Sequence, residues 1–206
     1  MRITGAADLE RGAAALAALD PRFGPVLEAV GPLPLRLRPD GFATLLQAIV
    51  SQQVSTASAA AIWGRVEAAG LTEPGAVAAA DEAALRAVGL SGPKIRYARA
   101  LAAAGIDFEA LRGMESDAVV ATLVAVPGIG VWTAEIYAKF ALGHADVFAA
   151  GDLALQEAAR VAFDLPARPG ERELRAMAEA WSPWRSVAAR ALWAYYRVAK
   201  GREGTL

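Results

Sequence analysis

Three observations predict an all-α protein. Hydrophobic residues make up 55% of the 206-residue chain, and many are alanine. Alanine, leucine and arginine rank among the strongest helix formers. Leu, Val and Trp recur at three- and four-residue spacing within the alanine-rich windows, the stripe of a packed helix. Strand-like alternation is confined to residues 31–40, where Pro32, Pro34 and Pro39 interrupt it.

The elements follow in order. Residues 7–19 and 21–30 form two short amphipathic helices, the second opened by Asp20-Pro21. Residues 31–40 make an extended linker. Helices over 42–50 and 55–69 flank Ser51-Gln52-Gln53-Val54-Ser55. Thr72 and Asp81 read as N-caps for helices over 74–79 and 81–87. Gly89-Leu90-Ser91-Gly92 is a turn before a helix over 93–104. Ser116 or Asp117 caps a helix over about 117–125. Val126-Pro127-Gly128-Ile129-Gly130 then joins it to a helix over 131–142. A loop over 143–151 ends at Asp152, which stands where an N-cap belongs for a helix over 153–163. Pro169-Gly170 and Ser182-Pro183 punctuate two last helices, 171–180 and 183–200.

Composition removes several chemistries. There is no cysteine, so disulfides, thiolate zinc sites, cysteine nucleophiles and an iron–sulfur cluster are excluded together. His144 is the single histidine and sits in a loop without a second ligand, a poor basis for zinc or for acid–base work. The N-terminus lacks the apolar core of a signal peptide. Residues 41–64 carry no charge, but Ser51-Gln52-Gln53-Val54-Ser55-Thr56 is too polar for hydrocarbon. The expectation is a cytoplasmic protein with no membrane contact. Net charge is −1, which by itself points away from nucleic acid. Its distribution points the other way: residues 160–202 hold nine Arg or Lys against four Asp or Glu, a surplus of five. That stretch reads equally as a solvated helix face.

The Pro-Gly-Ile-Gly turn is the chemical signature. Glycines admit φ > 0 and let a phosphate approach the main chain without a Cβ in the way. A helix beginning after Gly130 points free N–H groups outward, which favours an anion. The same turn could do no more than join two helices. Asp152, about twenty residues on, adds a carboxylate to the pattern, although an N-cap role alone accounts for its position.

The run from Val126-Pro127-Gly128-Ile129-Gly130-Val131-Trp132-Thr133-Ala134 to Gly151-Asp152 resembles the helix–hairpin–helix DNA glycosylase superfamily, with its Gly/Pro-rich loop and aspartate. The resemblance extends over roughly residues 41–200. Gly41-Phe42 through Ser51-Gln52-Gln53-Val54-Ser55 looks like the early helix and DNA-inserting turn. Gly89-Leu90-Ser91 with Lys94 and Tyr97 looks like the next family turn, and Trp181-Ser182-Pro183-Trp184-Arg185-Ser186 through Trp193 like the closing helix. The closest branch is DNA-3-methyladenine glycosylase II.

The resemblance implies a two-lobed helical bundle with an active-site cleft between the lobes. Residues 1–40 and 165–206, with part of 41–70, would form the terminal lobe. Residues 71–164 would form the central lobe, holding the helix–hairpin–helix (about 118–142) and the aspartate loop (143–152). It implies a monomeric, monofunctional hydrolase of base excision repair. Such an enzyme flips an alkylated purine, of the 3-methyladenine or 7-methylguanine type, out of double-stranded DNA. It hydrolyses the N-glycosidic bond and leaves an abasic site. Asp152 becomes the catalytic carboxylate. Trp132, Trp193 and Gln52 become base-pocket residues, and Gln53 the wedge inserted into the duplex. Gly128, Gly130, Thr133 and Lys94 fall at phosphate contacts. Carbonyls of Val124, Val126 and Ile129 match a monovalent cation site for Na+ or K+, and no other cofactor is implied. Strand-cutting relatives carry a lysine at the position of Trp132; tryptophan offers no amine for a Schiff base. Ile136 stands where the best-known branch has a tyrosine, so the pocket is partly altered. Tyr137 should face away from it. Trp63, Trp181 and Trp184 fit core packing, Asp146 a turn, and Arg185 either a phosphate clamp or, preferably, an ion pair. The rival functions are a non-catalytic damage-binding module and a glycosylase for deaminated bases.

Overall fold

The computed structural model describes residues 1–201. Arg202, counted in the basic stretch, lies with the rest of 202–206 outside the described residues. Among the described residues there are thirteen α-helices and one 3-10 turn: α1 (Ala6–Leu19), α2 (Phe23–Val30), α3 (Phe42–Ser51), α4 (Thr56–Ala68), α5 (Pro74–Ala79), α6 (Glu82–Ala87), α7 (Gly92–Ala103), α8 (Phe108–Gly113), α9 (Ser116–Val124), α10 (Val131–Phe140), α11 (Leu153–Ala162), α12 (Glu171–Ala178), the 3-10 turn (Glu179–Trp181) and α13 (Arg185–Lys200). The all-α expectation is met. Among the described residues, extended pairing is limited to one isolated bridge between Arg2 and His144. Among the described residues no helix is long and apolar enough to cross a membrane.

Local chemistry explains most boundaries. Asp81 accepts from the Ala84 N–H at 2.7 Å and caps α6. Asp107 accepts from the Ala110 N–H at 2.9 Å and opens α8, a helix the sequence reading passed over. Thr72 does not cap α5. Pro74 takes the first helical position, where its fixed φ and missing N–H cost nothing, so the cap moves to Glu73. The helix expected over 171–180 stops at Ala178, and α13 begins only after a cis Ser182-Pro183 bond.

The chain divides into two compact units. One joins Met1–Leu37 to the chain from Ala138 onward; the other is continuous, Arg38–Tyr137. The partition expected from sequence grouped Asp152 with the hairpin. Packing groups it with the chain ends, because α11 lies along α13, and α13 also receives α1 and α2.

In the unit built from both chain ends, Trp181 is the central side chain. It is fully buried, with Phe23 edge-on at 5.2 Å and Phe148 at 5.4 Å. Its indole N–H donates to Asp20 at 2.9 Å, so the polar end of the ring is satisfied. Gly12 lets α1 approach α13: a Cβ there would lie 2.6 Å from Trp184 and 2.7 Å from Val187. Arg190 is buried at 2% exposure, stacked 4.8 Å from the Phe140 ring. It donates to the carbonyls of Ser186 and Leu35, and burial pulls its pKa down to about 10.

In the continuous unit, α3 packs on α4 and α7, and α7 also carries α5 and α6. Tyr137 is buried, and its hydroxyl accepts from the Gly41 N–H at 2.8 Å at the start of α3. Burial first, opposed by that hydrogen bond, pushes the phenol up to about 12. Tyr137 is a strut between α10 and the start of α3.

Candidate functional site

The hairpin lies wholly in the continuous unit and joins α9 to α10. Gly128 has φ +96°, and a Cβ there would sit 2.4 Å from Tyr97 Cγ. Backbone conformation and close approach both demand glycine at this position. Gly130 differs. Its φ is not positive, and a Cβ would meet open space. The turn closes on itself through Ile129 N–H to Val126 C=O at 3.1 Å, and the Gly130 carbonyl accepts from Ala134 to start α10. Among the described residues, the N–H groups of Gly128 and Gly130 have no acceptor within the protein. The Gly130 N–H is one of the orphan donors at the start of α10, the arrangement that suits an anion, and the Gly128 N–H lies in the turn two residues earlier. Thr133, one turn into α10, is buried, while Val131 and Trp132 beside it are exposed.

The Gln52-Gln53 turn belongs to the same unit. Gln52 ends α3, and its Nε2 donates to the Gly128 carbonyl at 2.9 Å. Gln53 is exposed and held at φ +57°, a left-handed conformation uncommon for a residue with a side chain. Ser55 then caps α4 by accepting from the Ser58 N–H.

Asp152 belongs to the unit built from the chain ends. It caps α11: Oδ1 accepts from Ala154 N–H at 2.8 Å and Leu155 N–H at 3.1 Å. The carboxylate is half-buried. The loop before it is immobilised by Ala149 and Ala150, both fully buried, and by Gln156 Nε2 donating to the Ala150 carbonyl at 2.9 Å. The N-cap reading is therefore correct.

The two tryptophans expected at the base differ in setting. Trp132 is 41% exposed. Trp193 is 8% exposed. Its ring stacks at 5.8 Å on Phe140, and the Lys139 ammonium lies 4.3 Å from its centroid. Part of its face is thus in use within the fold. Ile136 is half-buried.

Residues 46–185 match the model of the HhH-GPD superfamily of base excision DNA repair proteins. The chain belongs to that superfamily. A crystal structure of a DNA-3-methyladenine glycosidase from Bacillus halodurans superposes with a TM-score of 0.83 at 34% identity, covering 91% of this chain and 89% of that one. The 3-methyladenine DNA glycosylase Mag1 of Schizosaccharomyces pombe, solved in complex with abasic DNA, gives 0.76 at 27% identity, covering 89% and 95%. A probable bifunctional transcriptional activator/DNA repair enzyme AlkA of Mycobacterium tuberculosis is 42% identical over 90 residues; the match takes in 44% of this chain but spans only 16% of the length of that relative.

Several other polar residues of this HhH-GPD chain are tied into the fold. Lys94, expected at a phosphate, is 8% exposed, and its Nζ donates to the Val50 carbonyl at 2.6 Å. Burial lowers its pKa. Arg185 pairs with Asp146 through Nε at 2.6 Å and Nη2 at 3.1 Å, which settles it as an ion-pair residue. Ser182 Oγ also donates to Asp146 at 2.8 Å, so Asp146 is a junction as well as a turn residue. His144 is buried, and its pKa falls to about 4, first through burial and then through the charge of Arg2. It is neutral at pH 7. Among the described residues no group of three His, Cys, Asp or Glu could hold a metal ion.

The carbonyls expected at a monovalent cation lie in and beside the hairpin. Among the described residues no donor reaches the carbonyls of Val124 or Ile129, and the Val126 carbonyl accepts a single bond. The Val124 carbonyl ends α9, where helix C-terminal oxygens carry partial negative charge, and those of Val126 and Ile129 lie in the turn beyond it. Two features of the site were beyond sequence reasoning: Gln52 reaching Gly128, and Lys94 reaching Val50. Both contacts are long-range and leave no periodic trace.

Proposed function

We propose that this chain is a monofunctional DNA-3-methyladenine glycosylase, acting on alkylated purines in double-stranded DNA during base excision repair. The hairpin amides of Gly128 and Gly130 take a phosphate of the damaged strand. This contact positions the enzyme without reading sequence. A Na+ or K+ ion on Val124, Val126 and Ile129 would add positive charge there. Gln53 fills the gap left by the flipped nucleotide. Trp132 stacks on the electron-poor alkylated base, a contact worth roughly 1–2 kcal/mol when desolvated.

The single observation that carries the chemistry is the fixed carboxylate of Asp152, with Oδ1 held by two backbone amides. Departure of the base breaks the C1′–N bond and leaves positive charge on the sugar. A preorganised anion stabilises that charge more than it stabilises the neutral sugar. The carboxylate also orients the attacking water and takes its proton, so that C1′–O replaces C1′–N. The alkylated purine is already cationic and leaves as a neutral base. No amine stands at position 132, so the reaction stops at the abasic site.

The test is Asp152→Asn. Asparagine caps a helix about as well as aspartate, so α11 is retained. Free base released from methylated duplex should fall by roughly 10²–10³-fold while DNA binding persists. Undiminished release would overturn the assignment. DNA binding with no release by the unaltered protein would leave the non-catalytic module.

A further inference from the structure

The Gln52-Gln53 turn is fastened at two points to the rest of its unit. On one side, Gln52 Nε2 donates to the Gly128 carbonyl, 76 residues away in sequence, at 2.9 Å. On the other, the buried Lys94 ammonium donates to Val50 at 2.6 Å, one of the orphan carbonyls in the last turn of α3. Between these ties stands Gln53, exposed and at φ +57°. A non-glycine residue in that region costs on the order of 1 kcal/mol, and it persists only where the surroundings hold it.

The two ties share a direction. The Gly128 carbonyl accepts from Gln52, while the N–H groups of Gly128 and Gly130 have no acceptor within the protein among the described residues. The same peptide turn thus offers oxygen to the Gln52-Gln53 turn and nitrogen to the outside. Lys94 fixes the end of α3 from the α7 side, so the turn cannot slide along the hairpin.

We propose that Gln52 and Lys94 are positioning residues that join the Gln53 wedge and the phosphate-binding hairpin into one rigid DNA-engaging element. Neither touches the base or the reacting atoms. The inference rests on the glycosylase reading only in taking Gln53 as the wedge. It assigns to Gln52 a role other than the edge of the base pocket, and to Lys94 one other than a phosphate contact.

The consequence is separable from simple anchoring. Phosphate binding through the hairpin amides needs no aligned wedge, whereas holding an extrahelical nucleotide does. Loss of a tie should therefore weaken binding to a duplex with a gap to fill and spare binding to an intact one.

The experiment compares affinities for an undamaged duplex and for the same duplex carrying one tetrahydrofuran abasic analogue. Gln52→Ala should lose about 5- to 10-fold on the tetrahydrofuran duplex, the equivalent of one hydrogen bond, and less than about 2-fold on the undamaged one. Gln52→Glu should not rescue it, because a carboxylate cannot donate to the Gly128 carbonyl. Lys94→Met should show the same selective loss with an unchanged salt dependence; a lysine contacting phosphate would instead lower the slope by about 0.9. In a Gln53→Ala background, Gln52→Ala should cost little more, since both act through one wedge. Equal losses on the two duplexes, additivity with Gln53→Ala, or a Gln52→Ala loss seen only when a base is present would overturn the proposal. If Gln53→Ala alone leaves tetrahydrofuran binding intact, the wedge reading is what fails. Thermal unfolding of each variant separates these results from a failure to fold.

Discussion

Gly128→Ala should destabilise the continuous unit severely, and Gly130→Ala should not, although the two glycines sit two residues apart in one turn. At Gly128 the backbone has φ +96°, and a new methyl carbon would lie 2.4, 2.6 and 2.9 Å from Tyr97 Cγ, Cβ and Cδ1. Strained backbone of this kind costs roughly 1–3 kcal/mol. Forcing a methyl into filled space costs a further 1–3 kcal/mol or so. A single shift of the turn relieves part of both, so the sum is about 2–5 kcal/mol. Gly130 has neither constraint, and its alanine variant should stay within about 0.5 kcal/mol of the parent. Urea unfolding reads the difference as a lower midpoint at unchanged slope. Duplex affinity reads the converse: Gly130→Ala places a methyl over the outward amides and should weaken binding about 10-fold, as expected for loss of a hydrogen bond to a charged group. A Gly128→Ala variant as stable as the parent would refute the packing argument. A Gly130→Ala variant with full affinity would refute the hairpin's role as an anion site.

Two further outcomes test the other unit. Asp20 is held at a pKa of about 2, chiefly by its hydrogen bond to Arg22, against burial and with help from the Trp181 indole. A depressed carboxyl stabilises the fold above its unfolded value of about 3.9, and the contribution is lost as pH falls toward 2. Arg22 is half-exposed, so the pair contributes about 1–2 kcal/mol after screening; Asp20→Asn should lower the urea midpoint at pH 7, and the gap should narrow steadily below pH 4. Arg185→Met breaks a bidentate pair that is only partly exposed, and should cost about 1.5–3 kcal/mol of stability with no change in the salt slope of DNA binding.

Much of this molecule is written in local chemistry. Asp81 and Asp152 announce their helices because an N-cap needs only its own side chain and the next three amides. Pro127, Gly128 and Gly130 announce a turn because their constraints act on their own φ. Asp107 carried the same kind of signal for α8. That helix is six residues long and buries only Leu111, too short for any periodicity to show. What stayed hidden is what spans the sequence. Lys94 was placed at a phosphate by the family resemblance; its burial depends on a helix end 44 residues earlier. Trp193 was recognisable as a family position, but the stacking of its ring on Phe140 depends on how α13 packs. The division of the chain was equally non-local, since α11 follows the hairpin in sequence yet packs on the last helix.

The first 37 residues share a unit with the chain from Ala138 onward, and this order matters during synthesis. Ile3, Leu9, Leu16 and Phe23 are buried in the finished protein against partners that leave the ribosome more than a hundred residues later. The intervening stretch, Arg38–Tyr137, emerges whole and carries its own core. During synthesis these apolar residues are therefore made long before the segments that cover them, and apolar surface left open in that way is prone to aggregate until it is buried.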